Sequence, residues 1–169
     1  MFCKLNRTFD KVQYNKLESR IKFGETFDGE FKGIEYFNVA DVDFLFDILP
    51  VEHRDKFCAT LMRINRDVPP HTDTGINVTI NLYLKTNECI TQFYKFKTDN
   101  PKVNQVENQT NGFIFDENDL ERTHNFMAEN GEVWVLDVSQ PHSVKPIGEF
   151  TERLGLSLAT NTYLSLIHI

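Results

Sequence analysis

Apolar and polar positions alternate most clearly in two stretches of the chain. Over 77–84, Val78, Ile80, Leu82 and Leu84 fall on one face, and Asn77, Thr79, Asn81 and Tyr83 on the other. Over 153–159, Leu154, Leu156 and Leu158 alternate with Arg153, Gly155 and Ser157. A period of two residues predicts strands. Further strands are expected at 57–64, 89–96, 112–115 and 132–138. They are set apart by the turn residues Asn65-Arg66-Asp67, Asp99-Asn100-Pro101 and Glu129-Asn130-Gly131. Pro69 and Pro70 hold the backbone before them extended. The first third reads differently. Val12, Tyr14, Leu17 and Ile21 have loosely helical spacing, 24–33 predicts a loop or short strand, and Asn38 or Asp41 can cap a helix holding Val42, Leu45, Phe46 and Leu49 that stops at Pro50. Six or more short strands behind one or two helices predict a mainly β sandwich or barrel with N-terminal helical support.

The 169 residues suit one domain, expected over 1–163 with its core at about 57–160. The last six residues, Leu164-Ser165-Leu166-Ile167-His168-Ile169, resemble a translated library adapter and are set aside as an expected artefact. Fifteen Phe and five Tyr favour sheets over a helical bundle. The net charge of −7 argues against a general nucleic-acid binder and against docking on an anionic membrane. No apolar run approaches a membrane span or a secretion leader, so a cytoplasmic protein is expected, with chance sequons at Asn6, Asn77 and Asn108. Cys3, Cys58 and Cys89 are odd in number without metal spacing, and are expected as small buried hydrophobes in a reducing compartment.

The chemistry concentrates in His71-Thr72-Asp73. Residues two apart on an extended segment point the same way, so His71 and Asp73 can chelate one ion. A third ligand must come from another strand. His142 lies just beyond the 132–138 strand, in Gln140-Pro141-His142-Ser143-Val144, and Arg153 follows 11 residues later. Two imidazoles and one carboxylate on one face of an ion leave positions open, which suits iron(II) that must take a co-substrate and oxygen together.

These stretches resemble the 2-oxoglutarate- and iron(II)-dependent dioxygenases, in their prolyl-hydroxylase-like and aspartyl-hydroxylase-like branches. The resemblance runs from about Cys58 to Ala159. It rests on Leu61-Met62-Arg63-Ile64, Pro70-His71-Thr72-Asp73-Thr74-Gly75, Ile80-Asn81-Leu82-Tyr83-Leu84, Gly131-Glu132-Val133-Trp134-Val135-Leu136-Asp137, and Pro141-His142-Ser143-Val144 through Arg153. The first 55 residues lie outside it. It implies a double-stranded β-helix, or jelly roll, with iron between its sheets, and hydroxylation of an unactivated C–H bond with release of succinate and CO2. His71, Asp73 and His142 would hold iron(II), and Arg153 would pair with the distal carboxylate of 2-oxoglutarate. Tyr83 resembles the family tyrosine that hydrogen-bonds that carboxylate, which requires the polar face of its strand to be the barrel interior. Asn81, on the same face, could touch the proximal carboxylate or the substrate. Some branches carry a co-substrate serine two residues after the arginine; here that position is Gly155, expected to leave room for a ligand, and Ser157 is the candidate on the same face.

Arg63 lies on a strand and is a candidate to face substrate, against the alternative of a solvated arginine. Asp137 is a candidate to cap the turn before His142 or to hydrogen-bond a ligand histidine. His124 could line the pocket or be structural; Trp134 is expected in the core, and His53 on the surface. The substrate is expected to be a peptide side chain, an amino acid or a small metabolite. Two other readings stay open, a cupin-type metal enzyme and a non-catalytic jelly-roll module. Cupins carry two His separated by one residue and then a Glu, whereas here Asp73 stands two after His71.

Overall fold

The computed structural model describes residues 2–8, 34–39, 43–104, 112–149 and 152–161. The expected helix at 11–21, the loop at 24–33 and the tail at 164–169 lie outside them. In chain order the elements are β1 (Phe2–Thr8), β2 (Ile34–Asn38), α1 (Asp43–Phe46), β3 (Cys58–Ile64), β4 (Val68–Asp73), β5 (Val78–Lys85), β6 (Cys89–Phe96), β7 (Val103–Asn104), β8 (Gly112–Phe115), β9 (Leu120–Met127), β10 (Glu132–Asp137), β11 (His142–Pro146) and β12 (Arg153–Thr160). They form two six-stranded sheets, β1-β10-β5-β12-β3-β2 and β7-β8-β4-β11-β6-β9. Neighbouring strands pair antiparallel in both, as in the jelly roll that the family resemblance implies.

The first sheet is buried on both faces, for different reasons. Its outer face carries the aliphatic half of the alternation. Ile80, Leu82, Leu156 and Leu158 are at most 1% exposed and pack with Leu61, Val133 and Val135. Leu45, Ile48 and Leu49 close over this layer. The polar half of the same strands, Thr79, Asn81, Tyr83, Arg153 and Ser157, turns inward to a cavity between the sheets. The strand period therefore sorts an apolar core to the outside of the barrel and a polar wall to its inside.

The helix expected to reach Pro50 is four residues long. Beyond it the backbone tightens: the amides of Asp47, Ile48 and Leu49 donate to the carbonyls of Phe44, Leu45 and Phe46, three residues back. A 3-10 helix at Val51–Lys56 then leads into β3. The support is a compact cap that buries three apolar side chains.

Five strands were not expected from the sequence, β1, β2, β7, β9 and β11. β1 is clasped to β10 by Glu132, which is 7% exposed. Its carboxylate accepts from the Glu129 amide at 3.0 Å, from Trp134 Nε1 at 2.8 Å and from Lys4 Nζ. Burial alone would raise the pKa of Glu132, but these hydrogen bonds outweigh it and hold the group below its ordinary range. A lowered folded pKa adds stability above the ordinary carboxylate range, lost as pH falls through the folded value. Glu132→Ala should therefore cost about 2 kcal/mol at neutral pH, mainly through the two donors left behind. Lys4 is half exposed and adds little. In chemical denaturation the difference from wild type should shrink below about pH 4.

Behind β11, the Tyr94 hydroxyl lies 2.7 Å from Gln92 Oε1 and 2.9 Å from Ser143 Oγ. All three residues are buried, and the network pins the strand that carries His142.

Candidate active site

β4 and β11 are neighbours in the second sheet, and their register sets His71 directly opposite His142. Alternation on β4 turns Asp73 to the same side as His71. One ligand atom from each of His71, Asp73 and His142 lies within 4.8 Å of the others, and His71 Nε2 is 3.6 Å from Asp73 Oδ1. No other such group occurs among the described residues. His71 Nδ1 bonds the Pro69 carbonyl at 2.8 Å, and His142 Nδ1 the Gln140 carbonyl at 3.0 Å. A carbonyl only accepts, so each Nδ1 carries the proton and each Nε2 keeps its lone pair. The ring partner of His142 is thus the Gln140 carbonyl; Asp137 accepts from the Ser139 hydroxyl at 2.6 Å. Phe93 stacks on the His142 ring at 5.8 Å.

Burial dominates the electrostatics. It drives His71 well below the ordinary imidazole range, helped by His142 nearby, and lowers His142 to about 4. It raises Asp73 to about 7. Two neutral imidazoles and a costly buried carboxylate are a donor set that a divalent cation repays.

Arg153 occupies another part of the same cavity wall and is 2% exposed. Nη1 and Nη2 both donate to Thr91 Oγ1, at 3.1 and 3.0 Å, and the guanidinium lies 4.5 Å above the centre of the Tyr83 ring. Nε has no partner, and among the described residues no carboxylate pairs with this charge. A buried guanidinium held by one hydroxyl and one ring is short of an anion. Three buried side-chain polar atoms lack partners among the described residues: Arg153 Nε, Asn81 Oδ1 and Thr79 Oγ1. All three belong to residues lining this one cavity of 420 Å³.

The structure thus brings together His71, Asp73, His142, Arg153, Tyr83, Asn81 and Ser157. It does not bring in Arg63. Met62 and Ile64 line the cavity, so strand parity turns Arg63 outward, where it pairs with Glu35 and lies over the Phe37 ring. Gly155 leaves room for protein rather than ligand. A Cβ there would meet the Leu82 carbonyl at 3.3 Å, Met62 Cε at 3.7 Å and Tyr83 Cδ1 at 3.8 Å. His124 is exposed and lies edge-on to Phe2, outside the cavity. Trp134 is half-buried and stacks on Phe126 at 4.0 Å. Sequence reasoning missed Thr91 and Tyr36 as wall residues. The parity that placed Asn81 and Tyr83 also places Thr79; Thr91 and Tyr36 required the sheet register.

No protein-family model and no curated protein sequence matches the chain. Solved structures do. The carbocyclase SnoK from nogalamycin biosynthesis, described as non-heme and alpha-ketoglutarate dependent, superposes with a TM-score of 0.60 over 94% of this chain and 78% of its own, at 7% identity. HygX from Streptomyces hygroscopicus, with nickel, 2-oxoglutarate and hygromycin B bound, gives 0.58 over 97% and 84%, at 10% identity. A 2OG-Fe(II) oxygenase family oxidoreductase from Burkholderia pseudomallei gives 0.53 over 95% and 84%, at 9% identity. The chain has the fold of the 2-oxoglutarate/iron(II) oxygenases. The chain also spans 31% of hazelnut vicilin, at a TM-score of 0.44. At these identities the likeness to the oxygenases is one of fold, and the chemistry rests on the side chains described above.

Proposed function

We propose that the chain is an iron(II)- and 2-oxoglutarate-dependent dioxygenase that hydroxylates an unactivated C–H bond. The observation that carries this reading is a buried guanidinium without an anion in the same cavity as a His-Asp-His donor set. A buried cation without an anion beside the donor set favours a site that takes an acidic co-substrate at the ion over a cupin-type metal site or a non-catalytic module. The bound ligands in HygX and the motif resemblance to the hydroxylase branches point the same way.

His71, Asp73 and His142 would hold iron(II), which supplies, when bound, the oxidative decarboxylation of 2-oxoglutarate to succinate and CO2 that drives C–H oxidation. The protein's own part is orientation and water exclusion. Arg153 offers Nε and its remaining N–H groups to the distal carboxylate, while Thr91 and the Tyr83 ring hold the guanidinium in place. The Pro69 and Gln140 carbonyls keep both imidazoles in the ligand tautomer. Asn81 and Ser157 line the wall as further contacts for co-substrate or substrate. Apolar Met62, Leu136, Val138 and Val144 keep bulk water from the centre.

Purified protein supplied with iron(II) and labelled 2-oxoglutarate should release labelled succinate, and the release should rise with a subset of peptide, amino-acid or metabolite pools. The rate should fall to background on chelation and recover on adding iron. Release indifferent to iron, or none with any pool, would overturn the proposal.

A further inference from the structure

The cavity is longer than its co-substrate requires, and its two ends differ. Arg153 pairs with Ile64 across β3, whereas Ala159, six residues along β12, sits between Thr79 and Cys58. Six strand residues span about 20 Å. A five-carbon diacid anchored on Arg153 ends well short of that row. The wall beyond is formed by Thr79, Cys58, Ala159, Ile76, Leu136 and Val138. Among the described residues, the acidic, basic and imidazole side chains lining the cavity are the triad and Arg153, all committed to the ion and the co-substrate. The far end is neutral. It is not purely apolar, because the Thr79 hydroxyl, in a residue 7% exposed, is buried with no hydrogen-bond partner. A threonine is a poor choice for a wall that needs no polar contact, since valine fills the same shape without stranding a hydroxyl.

Given the dioxygenase reading, on which this rests, we propose that the far end is the substrate subsite and takes an uncharged molecule bearing a hydroxyl or amide, hydrogen-bonded to Thr79 and packed on the apolar wall. A carboxylate, phosphate or ammonium placed there would find no counter-charge on the described wall. A neutral hydrogen-bonding group would satisfy Thr79 without needing a counter-charge. Discrimination then comes from leaving a buried hydroxyl unpaired when the wrong molecule binds.

Equilibrium dialysis tests this on the oxygen-free, iron(II)-loaded protein with 2-oxoglutarate, against a metabolite pool sorted into neutral, anionic and cationic members, with mass spectrometry of what is retained. Retention of neutral hydroxyl- or amide-bearing members is expected, with anionic and cationic members excluded. In Thr79→Val that retention should fall at least about tenfold. The melting temperature of the variant should match or exceed wild type, because it removes an unpaired hydroxyl; a merely structural threonine would lower it. Thr79→Ser, which keeps the hydroxyl, should restore retention. Enrichment of charged members, no enrichment at all, or a Thr79→Val protein that retains neutral members as wild type does would overturn the subsite while leaving the dioxygenase reading intact. Failure to retain 2-oxoglutarate itself, measured in the same cell, would overturn the reading and the subsite together.

Discussion

Arg153→Met is expected to weaken 2-oxoglutarate binding by at least about 100-fold while leaving the ligand-free protein as stable as wild type or more so. The two effects share one cause. Arg153 is 2% exposed, and its charge is met by one hydroxyl and one aromatic ring rather than a carboxylate. Burying an ion without a counter-ion costs several kcal/mol. The two bonds to Thr91 return about 1 kcal/mol each. Methionine removes the charge, keeps much of the volume and can rest its sulfur against the Tyr83 ring. The loss falls on the ligand. A guanidinium–carboxylate pair in a dry site contributes about 1.5–3 kcal/mol per charge-assisted bond, and two such bonds set the 100-fold floor. Thermal melts with and without co-substrate read both halves. At 2-oxoglutarate concentrations near 100 times Kd, wild type should gain about 2.7 kcal/mol and the variant almost nothing. A variant that responds as wild type does, or that melts far lower without ligand, would show that Arg153 is a structural cation.

Sequence pattern was most informative where one strand face is aliphatic and the other polar. β5 and β12 were legible for that reason, and with them the inward placement of Thr79, Asn81, Tyr83 and Ser157. β9 was not, because Leu120 and Phe126 are its only buried residues and the rest, from Glu121 to Asn125, are exposed and polar. An edge strand of that kind carries no hydrophobic period and is recognised only by its pairing with β6. β1 was missed for a related reason. Cys3 and Leu5 pack on one side of the sheet and Phe2 on the other, and the strand gains its partner β10 from about 130 residues downstream. The outward turn of Arg63 was within reach of the same parity argument that succeeded on β5, since Thr60, Met62 and Ile64 make the inward set of β3. Thr91 was beyond reach. Its tie to Arg153 crosses from one sheet to the other, and no local pattern encodes that separation.

The triad shows how site and fold oppose each other energetically, and Asp73→Asn exposes that opposition. The substitution keeps the shape of the side chain and removes its charge. Burial holds Asp73 up at about 7 and pushes both imidazoles down, so each group is in an environment that penalises its charged form. The fold bears that cost, and a divalent cation repays it on binding. Without metal, Asp73→Asn should melt at or above wild type. With metal, it should lose what wild type gains, because an amide oxygen is a weak donor and brings no charge to a site whose other ligands are neutral. Removing a group that merely orients a metal ligand costs 10–100-fold in affinity. Loss of a ligand's charge should therefore cost at least about 100-fold, measured by calorimetric titration with cobalt(II) or iron(II), and succinate release should fall to background. His124→Ala is the control, since His124 is exposed on β9 and outside the cavity. It should bind metal as wild type does. An Asp73→Asn protein that kept wild-type metal affinity would mean that His71, Asp73 and His142 converge for packing alone, and the dioxygenase reading would fall with them.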